Sequence, residues 1–131
     1  MAIRKVVLDT NILVSALWNP SGKPAKIIAL VPLGKIIPCY NTPIMEEYLN
    51  VLRRARLKFS GSKTDGILFE IARHGVSIVV EASTTALPDE SDRKFYDVAN
   101  FCEAFITGNT KHYPKNSYIV TPSEFLELDF Q

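Results

Sequence analysis

Asp9, Thr10 and Asn11 stand directly behind the apolar run Val6-Val7-Leu8. A carboxylate at the end of a buried strand, followed by small polar residues, can form the floor of a metal site. Three later segments carry similar groups: Glu46-Glu47, Asp89 to Asp92, and Thr107-Gly108-Asn109. Oxygen donors of this kind suit a hard divalent cation such as Mg²⁺, which takes few carboxylates and keeps water and phosphate in its other positions. Such a cation lowers the pKa of a bound water and offsets the charge that builds on a phosphoryl group under attack. Phosphodiester cleavage fits this set, because it needs no Ser, Cys or His nucleophile.

Helical spacing separates the two glutamates. Glu47 falls three residues after Ile44 and four before Val51, on the apolar stripe, whereas Glu46 shares its side with Asn50 and Arg53. A carboxylate on a core-facing stripe is costly without a cation or donor to meet it, which selects Glu47. Asp92 precedes Phe95 by three and Ala99 by seven, so it follows a buried stripe as well. Asp89 lies outside that helix and can cap it. The competing reading is structural for each acid, since Asp9 can cap the next helix and acids gather at helix starts to meet the dipole.

The elements that would bring these groups together alternate. The pattern predicts a strand over 3–8, helices over 11–18 and 23–31, and a strand over 35–40. Thr42 as N-cap with Pro43 at the first helical position starts a helix running to about Lys58. A helix over 63–73, a strand over 76–80 and a helix over 92–103 follow. Strands over 104–107 and 117–120 and a helical turn over 124–128, capped by Thr121-Pro122-Ser123, complete the chain. Such alternation implies an α/β sandwich around a mostly parallel sheet. Ligands in that architecture bind beyond the carboxyl ends of the strands, and there Asp9, Glu47, Asp92 and Asn109 converge from four segments.

At 131 residues the chain is one domain, over 1–131, with 47% apolar and 22% charged residues, the balance of a soluble globular protein. No apolar run approaches the about 20 residues that cross a bilayer, and no signal peptide opens the chain, so a cytoplasmic protein is expected. Cys39 and Cys102 lie far apart in sequence and form no metal or redox motif, which predicts reduced, structural thiols. Residues 1–63 carry ten Lys or Arg against three acids, and 64–131 carry five against eleven. A basic half beside an acidic one suits metal-dependent work on a polyanion. Arg53, Arg54, Arg56 and Lys58 cluster at a helix end where the dipole favours cations, and RNA backbone contact is their functional reading.

Val-Val-Leu-Asp-Thr-Asn at 6–11, Glu-Glu-Tyr-Leu-Asn-Val-Leu at 46–52, Asp-Arg-Lys-Phe at 92–95 and Ile-Thr-Gly-Asn at 106–109 together resemble the PIN-domain ribonucleases. The branch most similar is the toxin components of toxin–antitoxin systems. The resemblance implies a three-layer α/β/α sandwich and Mg²⁺- or Mn²⁺-dependent endonucleolytic cleavage of RNA, leaving a 5′-phosphate and a 3′-hydroxyl. It places the family's three acids on Asp9, Glu47 and Asp92, with Thr10, Asn11 and Thr107 as supporting residues. Asn109 departs from the family's fourth acid, leaving one metal or two open unless Asp89 supplies the missing carboxylate.

The resemblance also implies a homodimer silenced by a small antitoxin protein, and Trp18 with the apolar tail 126–130 offers surface for pairing. Two other functions compete. A haloacid-dehalogenase-type phosphatase would need a second Asp where Asn11 stands. A binding-only PIN-like module, contacting RNA or protein without cutting, is the stronger competitor.

Overall fold

Val6, Val7 and Leu8 have no exposed surface, the burial that a strand covered on both faces requires. They belong to β1 (Arg4–Leu8) of a computed structural model that describes residues 4–55 and 60–129. After β1 come α1 (Thr10–Trp18), α2 (Lys23–Ala29), β2 (Ile36–Tyr40), α3 (Thr42–Ala55) and α4 (Gly61–His74). Then follow β3 (Val76–Ser77), α5 (Arg93–Ala99), β4 (Ala104–Ile106), β5 (Ile119–Val120) and α6 (Pro122–Asp129).

The strands form one sheet in the order β3-β2-β1-β4-β5, with every pairing parallel. The chain winds outward from β1 to β3 through α1–α4 and returns through α5 to β4 and β5. Right-handed crossovers therefore put helices on both faces, giving the α/β/α sandwich that the sequence implies. The winding reverses between β1 and β4. Their carboxyl ends open a crevice, the place where such sheets bind ligands.

The core is aromatic beside that crevice. Phe95 of α5 stacks on Phe105 of β4 with ring centroids 6.2 Å apart, and Tyr113 meets Phe105 edge-on at 4.8 Å. Tyr48 of α3, 1% exposed, donates its hydroxyl to the Leu8 carbonyl at 2.5 Å, tying α3 to the end of β1. A buried phenol requires such a partner.

Several boundaries differ from the expectation, each for a local reason. Asn41, rather than Thr42, caps α3: its Oδ1 accepts from Ile44 N at 2.9 Å, and Asn is the stronger cap. The strand expected over 76–80 is only Val76–Ser77, because β2 ends at Tyr40, whose carbonyl takes the last bond from Ile78 N at 2.7 Å. Beyond it Val79 is 96% exposed. Gly75 permits the approach of β3, since a Cβ there would stand 2.5 Å from the Pro38 carbonyl of β2. The helix expected over 92–103 starts as a 3₁₀ turn at Glu90–Asp92 and ends at Ala99. It stops because Glu103 N is already bonded to the Lys5 carbonyl of β1 at 2.8 Å.

At the last helix, Thr121 and Glu124 form a reciprocal capping box, Glu124 N to Thr121 Oγ1 at 3.2 Å and Thr121 N to Glu124 Oε1 at 2.9 Å. Cys39 and Cys102 are both free thiols, as expected. Cys39 and Cys102, 63 positions apart, bring their thiols within hydrogen-bonding reach of each other. Among the described residues no helix is long and apolar enough to cross a membrane.

Candidate active site

The parallel register β1–β4 sets Leu8 beside Ile106, so the chain leaves both strands at one level. Asp9 is the first residue past β1, and its N–H continues the ladder to the Ile106 carbonyl at 3.0 Å. Thr107 is the first past β4. Its hydroxyl, wholly buried, donates to Asp9 Oδ2 at 2.6 Å and accepts from Asn109 N at 3.0 Å. Asp9 itself is 8% exposed, and its carboxylate makes no side-chain capping hydrogen bond to α1.

Burial pushes the Asp9 carboxyl above its ordinary value. The Thr107 bond opposes that rise, while the charges of Asp92 and then Glu47 add to it, and the Asn11 N–H is the weakest influence. The three acids therefore act on one another across the crevice. Two carboxylates facing a third disfavour its ionisation, and a bound cation relieves that penalty.

Glu47 lies one turn into α3. Thr10 of α1, 3% exposed, donates its hydroxyl to Glu47 Oε2. Lys94 of α5 places Nζ 2.8 Å from the other oxygen, Oε1. Glu46, its neighbour, is exposed. Asp92 enters from the end of the 3₁₀ turn. Its Oδ2 is shut off from solvent without a hydrogen-bond partner, although His112 Nδ1 lies 3.3 Å away outside bonding alignment. The nearby Tyr113 phenol makes no close hydrogen bond, and burial, then the charges of Asp9 and Asp92 and a longer side-chain interaction with Asp92, push its pKa up.

The remaining expected residues divide. Asn109 is half-buried and its side chain bonds none of the three acids among the described residues. Asn11 is exposed. Asp89 acts as an N-cap: its Oδ1 accepts from Ser91 N at 2.9 Å and Ser91 Oγ at 2.8 Å, which holds its carboxyl below the ordinary range. Arg53 and Arg54 are exposed, and Arg54 lines a cleft of about 410 Å³ with Pro43, Glu46, Glu47, Asn50 and Lys94. Arg56 and Lys58 lie outside the described residues.

Spacing did not single out Lys94, Tyr113 or Arg93. Lys94 had a signal, since it stands two residues after Asp92 on the flank of the same short helix. Arg93 had none: its guanidinium bonds the Ser83 carbonyl at 2.9 Å and the Thr85 carbonyl at 2.8 Å, fastening the irregular segment before Asp89.

Carboxylates and hydroxyls are the donor types that suit a hard divalent cation, and Asp92 Oδ2 is a buried acceptor with no hydrogen bond of its own. The residues fit such an ion in kind. Their spacing is more open: among the described residues no three His, Cys, Asp or Glu side chains stand together as a ready cage.

Residues 5–111 match the PIN-domain family. The uncharacterized protein MJ1680 of Methanocaldococcus jannaschii is 32% identical over 139 aligned positions, which cover 94% of this chain and 90% of that protein. No solved structure matches. PIN domains in general are nucleases that use divalent metals such as Mg²⁺ and bind RNA. With most of its length matched and its strands in the parallel order described, this chain belongs to the PIN-domain family.

Proposed function

We propose that the protein is a metal-dependent endoribonuclease in which Asp9, Glu47 and Asp92 hold Mg²⁺ or Mn²⁺. The observation that carries this reading is a buried Asp92 oxygen with no close hydrogen bond near an Asp9 carboxyl raised first by burial and then by the charges of Asp92 and Glu47. Both describe acidic groups held out of water close to one another. When bound, the cation would activate the attacking water and neutralise charge on the phosphoryl oxygens. The chain's own part is orientation: Thr107 fixes Asp9, Thr10 fixes Glu47, and the stacked Phe95 and Phe105 set the depth of α5 beneath Asp92. Asn109 stands at the crevice mouth, where its amide can orient water, and Asp89 remains the candidate for an additional carboxylate.

RNA fits the surface around the acids. Arg54 and Lys94 flank the cleft beside Glu47. A second cavity of about 650 Å³, beginning at Thr110, is lined by Lys111 and Lys115 together with Glu124. Cations near an acidic site can carry a phosphate backbone. In its biological setting we read the protein as a cytoplasmic toxin, a homodimer blocked by a small antitoxin. Exposed Leu33 and Leu128 supply apolar surface for such contacts, and light scattering at micromolar concentration tests the dimer.

The direct test is cleavage of single-stranded RNA with Mg²⁺ or Mn²⁺, with EDTA, and with Asp9→Asn. Cutting that needs metal and Asp9 is the expected result, and cutting by a folded Asp9→Asn protein rejects the assignment. One observation favours the binding-only reading: both Glu47 oxygens already have partners, Thr10 and Lys94. Thermal shift separates the two, because a nuclease gains stability from millimolar metal and a module without a metal site does not.

A further inference from the structure

Lys94 is the least explained charge at the crevice. Its side chain is only 20% exposed, its ammonium sits 2.8 Å from Glu47 Oε1, and it also donates to the Ser91 carbonyl. The same nitrogen lies 5.3 Å from the centre of the Phe95 ring, a favourable position for a cation over an aromatic face. This is a held ammonium, unlike a solvent-borne lysine whose pairing contributes little. Among the described residues, Glu47 is the one of the three acids with a Lys or Arg charge at bonding distance. Asp9 receives a neutral hydroxyl, and Asp92 has an imidazole out of alignment.

Building on the nuclease reading, we infer that Lys94 is an internal counter-ion for Glu47, which must let go of Oε1 before the crevice can load a divalent cation. Both Glu47 oxygens are thereby engaged, Oε1 by Lys94 of α5 and Oε2 by Thr10 of α1. The released ammonium has a place to go, since it lines the cleft that contains Asn50 and Arg54. Asp89 lies close enough to feel its charge. Where a site is competent only with an internal pair open, its apparent affinity falls by the fraction of time the pair is open. Lys94 therefore sets a threshold: the site is filled at a higher metal concentration than its three acids alone would need. Removing the competing charge should tighten metal binding, and strengthening the pair should weaken it.

Calorimetric titration of the full chain with Mn²⁺ tests this in three forms, the native protein, Lys94→Gln and Lys94→Arg. Lys94→Gln should bind Mn²⁺ several-fold more tightly than the native chain. Lys94→Arg, whose planar fork grips a carboxylate better, should bind several-fold more weakly. A salt bridge that only supports the fold would lower the melting temperature in EDTA without moving metal affinity in opposite directions. Equal affinities in all three overturn the counter-ion role and leave the nuclease reading standing. Tighter binding in the native chain than in Lys94→Gln overturns it too, because Lys94 would then assist the site. Absence of Mn²⁺ binding in every form overturns both readings. Should Lys94→Gln fail to fold, Lys94→Arg decides alone, weaker binding supporting the role and unchanged or tighter binding rejecting it.

Discussion

Asp9 and Asp92 present the same carboxyl group to the same crevice, yet they are held in opposite ways. Asp9 continues a strand, keeps a ladder bond to Ile106 and receives the buried Thr107 hydroxyl. Asp92 ends a 3₁₀ turn, keeps an oxygen with no partner, and faces an imidazole that is half in solvent. The strand corner is complete without a ligand. The helix corner leaves a buried oxygen with no close hydrogen bond. Sheet register fixes a side chain closely because both strands are bonded along their length, whereas the seven-residue α5 is held by packing and by side-chain bonds from Arg93 and Lys94. A site assembled from one of each has a rigid anchor and an adjustable arm.

The largest expected effect separates the corners by pH. Both Asp9→Asn and Asp92→Asn should remove cleavage, but Asp9→Asn should also stabilise the metal-free chain. The folded Asp9 carboxyl lies above its ordinary 3.8, so its ionisation costs the fold something. Below 3.8 both folded and unfolded forms are protonated and the cost is absent; it grows as pH rises and is complete above the raised folded value. The melting temperature of Asp9→Asn in EDTA should therefore pull ahead of the native chain as pH rises through that window, then hold its lead to neutrality. A gap that narrows with rising pH would contradict the assigned strain at the strand corner.

Next in size is the bond that completes the strand corner. Thr107→Val keeps the shape of a fully buried side chain but removes the donor to Asp9 and the acceptor for Asn109 N. Urea denaturation should show a loss of about 1–2 kcal/mol, the usual result of leaving a buried acceptor unpaired. His112→Gln, at the helix corner, should stay within about 0.5 kcal/mol, as for other exposed positions. Equal losses at the two positions would mean that the corners are not built differently.

The same contrast explains what the sequence made legible. Val6-Val7-Leu8 followed by Asp9 announces a buried parallel strand and its terminal acid, because burial on both faces leaves an unbroken apolar run. Glu47 was separable from Glu46 because the stripe from Ile44 through Tyr48 to Leu52 is real and wholly buried. What could not be read depends on partners distant in sequence. The end of β3 is set by where β2 stops, and the end of α5 by the bond from Glu103 to Lys5. The meeting of Cys39 with Cys102 and of Lys94 with Glu47 has no local signature, since neither pair lies on one element. Capping was misassigned by one residue because Asn41 and Thr42 both carry a suitable oxygen.

A smaller effect is expected at residue 109, beside the strand corner. Its backbone is tied to Thr107 while its side chain bonds none of the acids. Asn109→Asp adds a charge to the family's usual position, and calorimetry should show several-fold tighter Mn²⁺ binding with cleavage equal or faster. Unchanged affinity would place the side chain outside the metal's reach and leave the strand corner with Asp9 alone.

The smallest effect is the sharpest control on the choice of acids. Glu46 and Glu47 are adjacent and chemically identical, and both line the cleft beside Lys94, so any influence that depends only on charge near the crevice should treat them alike. Orientation separates them. Glu47 projects toward Thr10 and Lys94, whereas Glu46 is exposed and has no hydrogen bond or ion pair among the described residues. Glu46→Gln should therefore leave Mn²⁺ affinity within about twofold and stability within about 0.5 kcal/mol, the range of ordinary surface substitutions. Glu47→Gln should lose metal binding and free Lys94 from its partner. If Glu46→Gln instead weakened Mn²⁺ as much as Glu47→Gln, helical direction would have no part in selecting the ligand, and a diffuse negative field would have to replace a defined three-acid site.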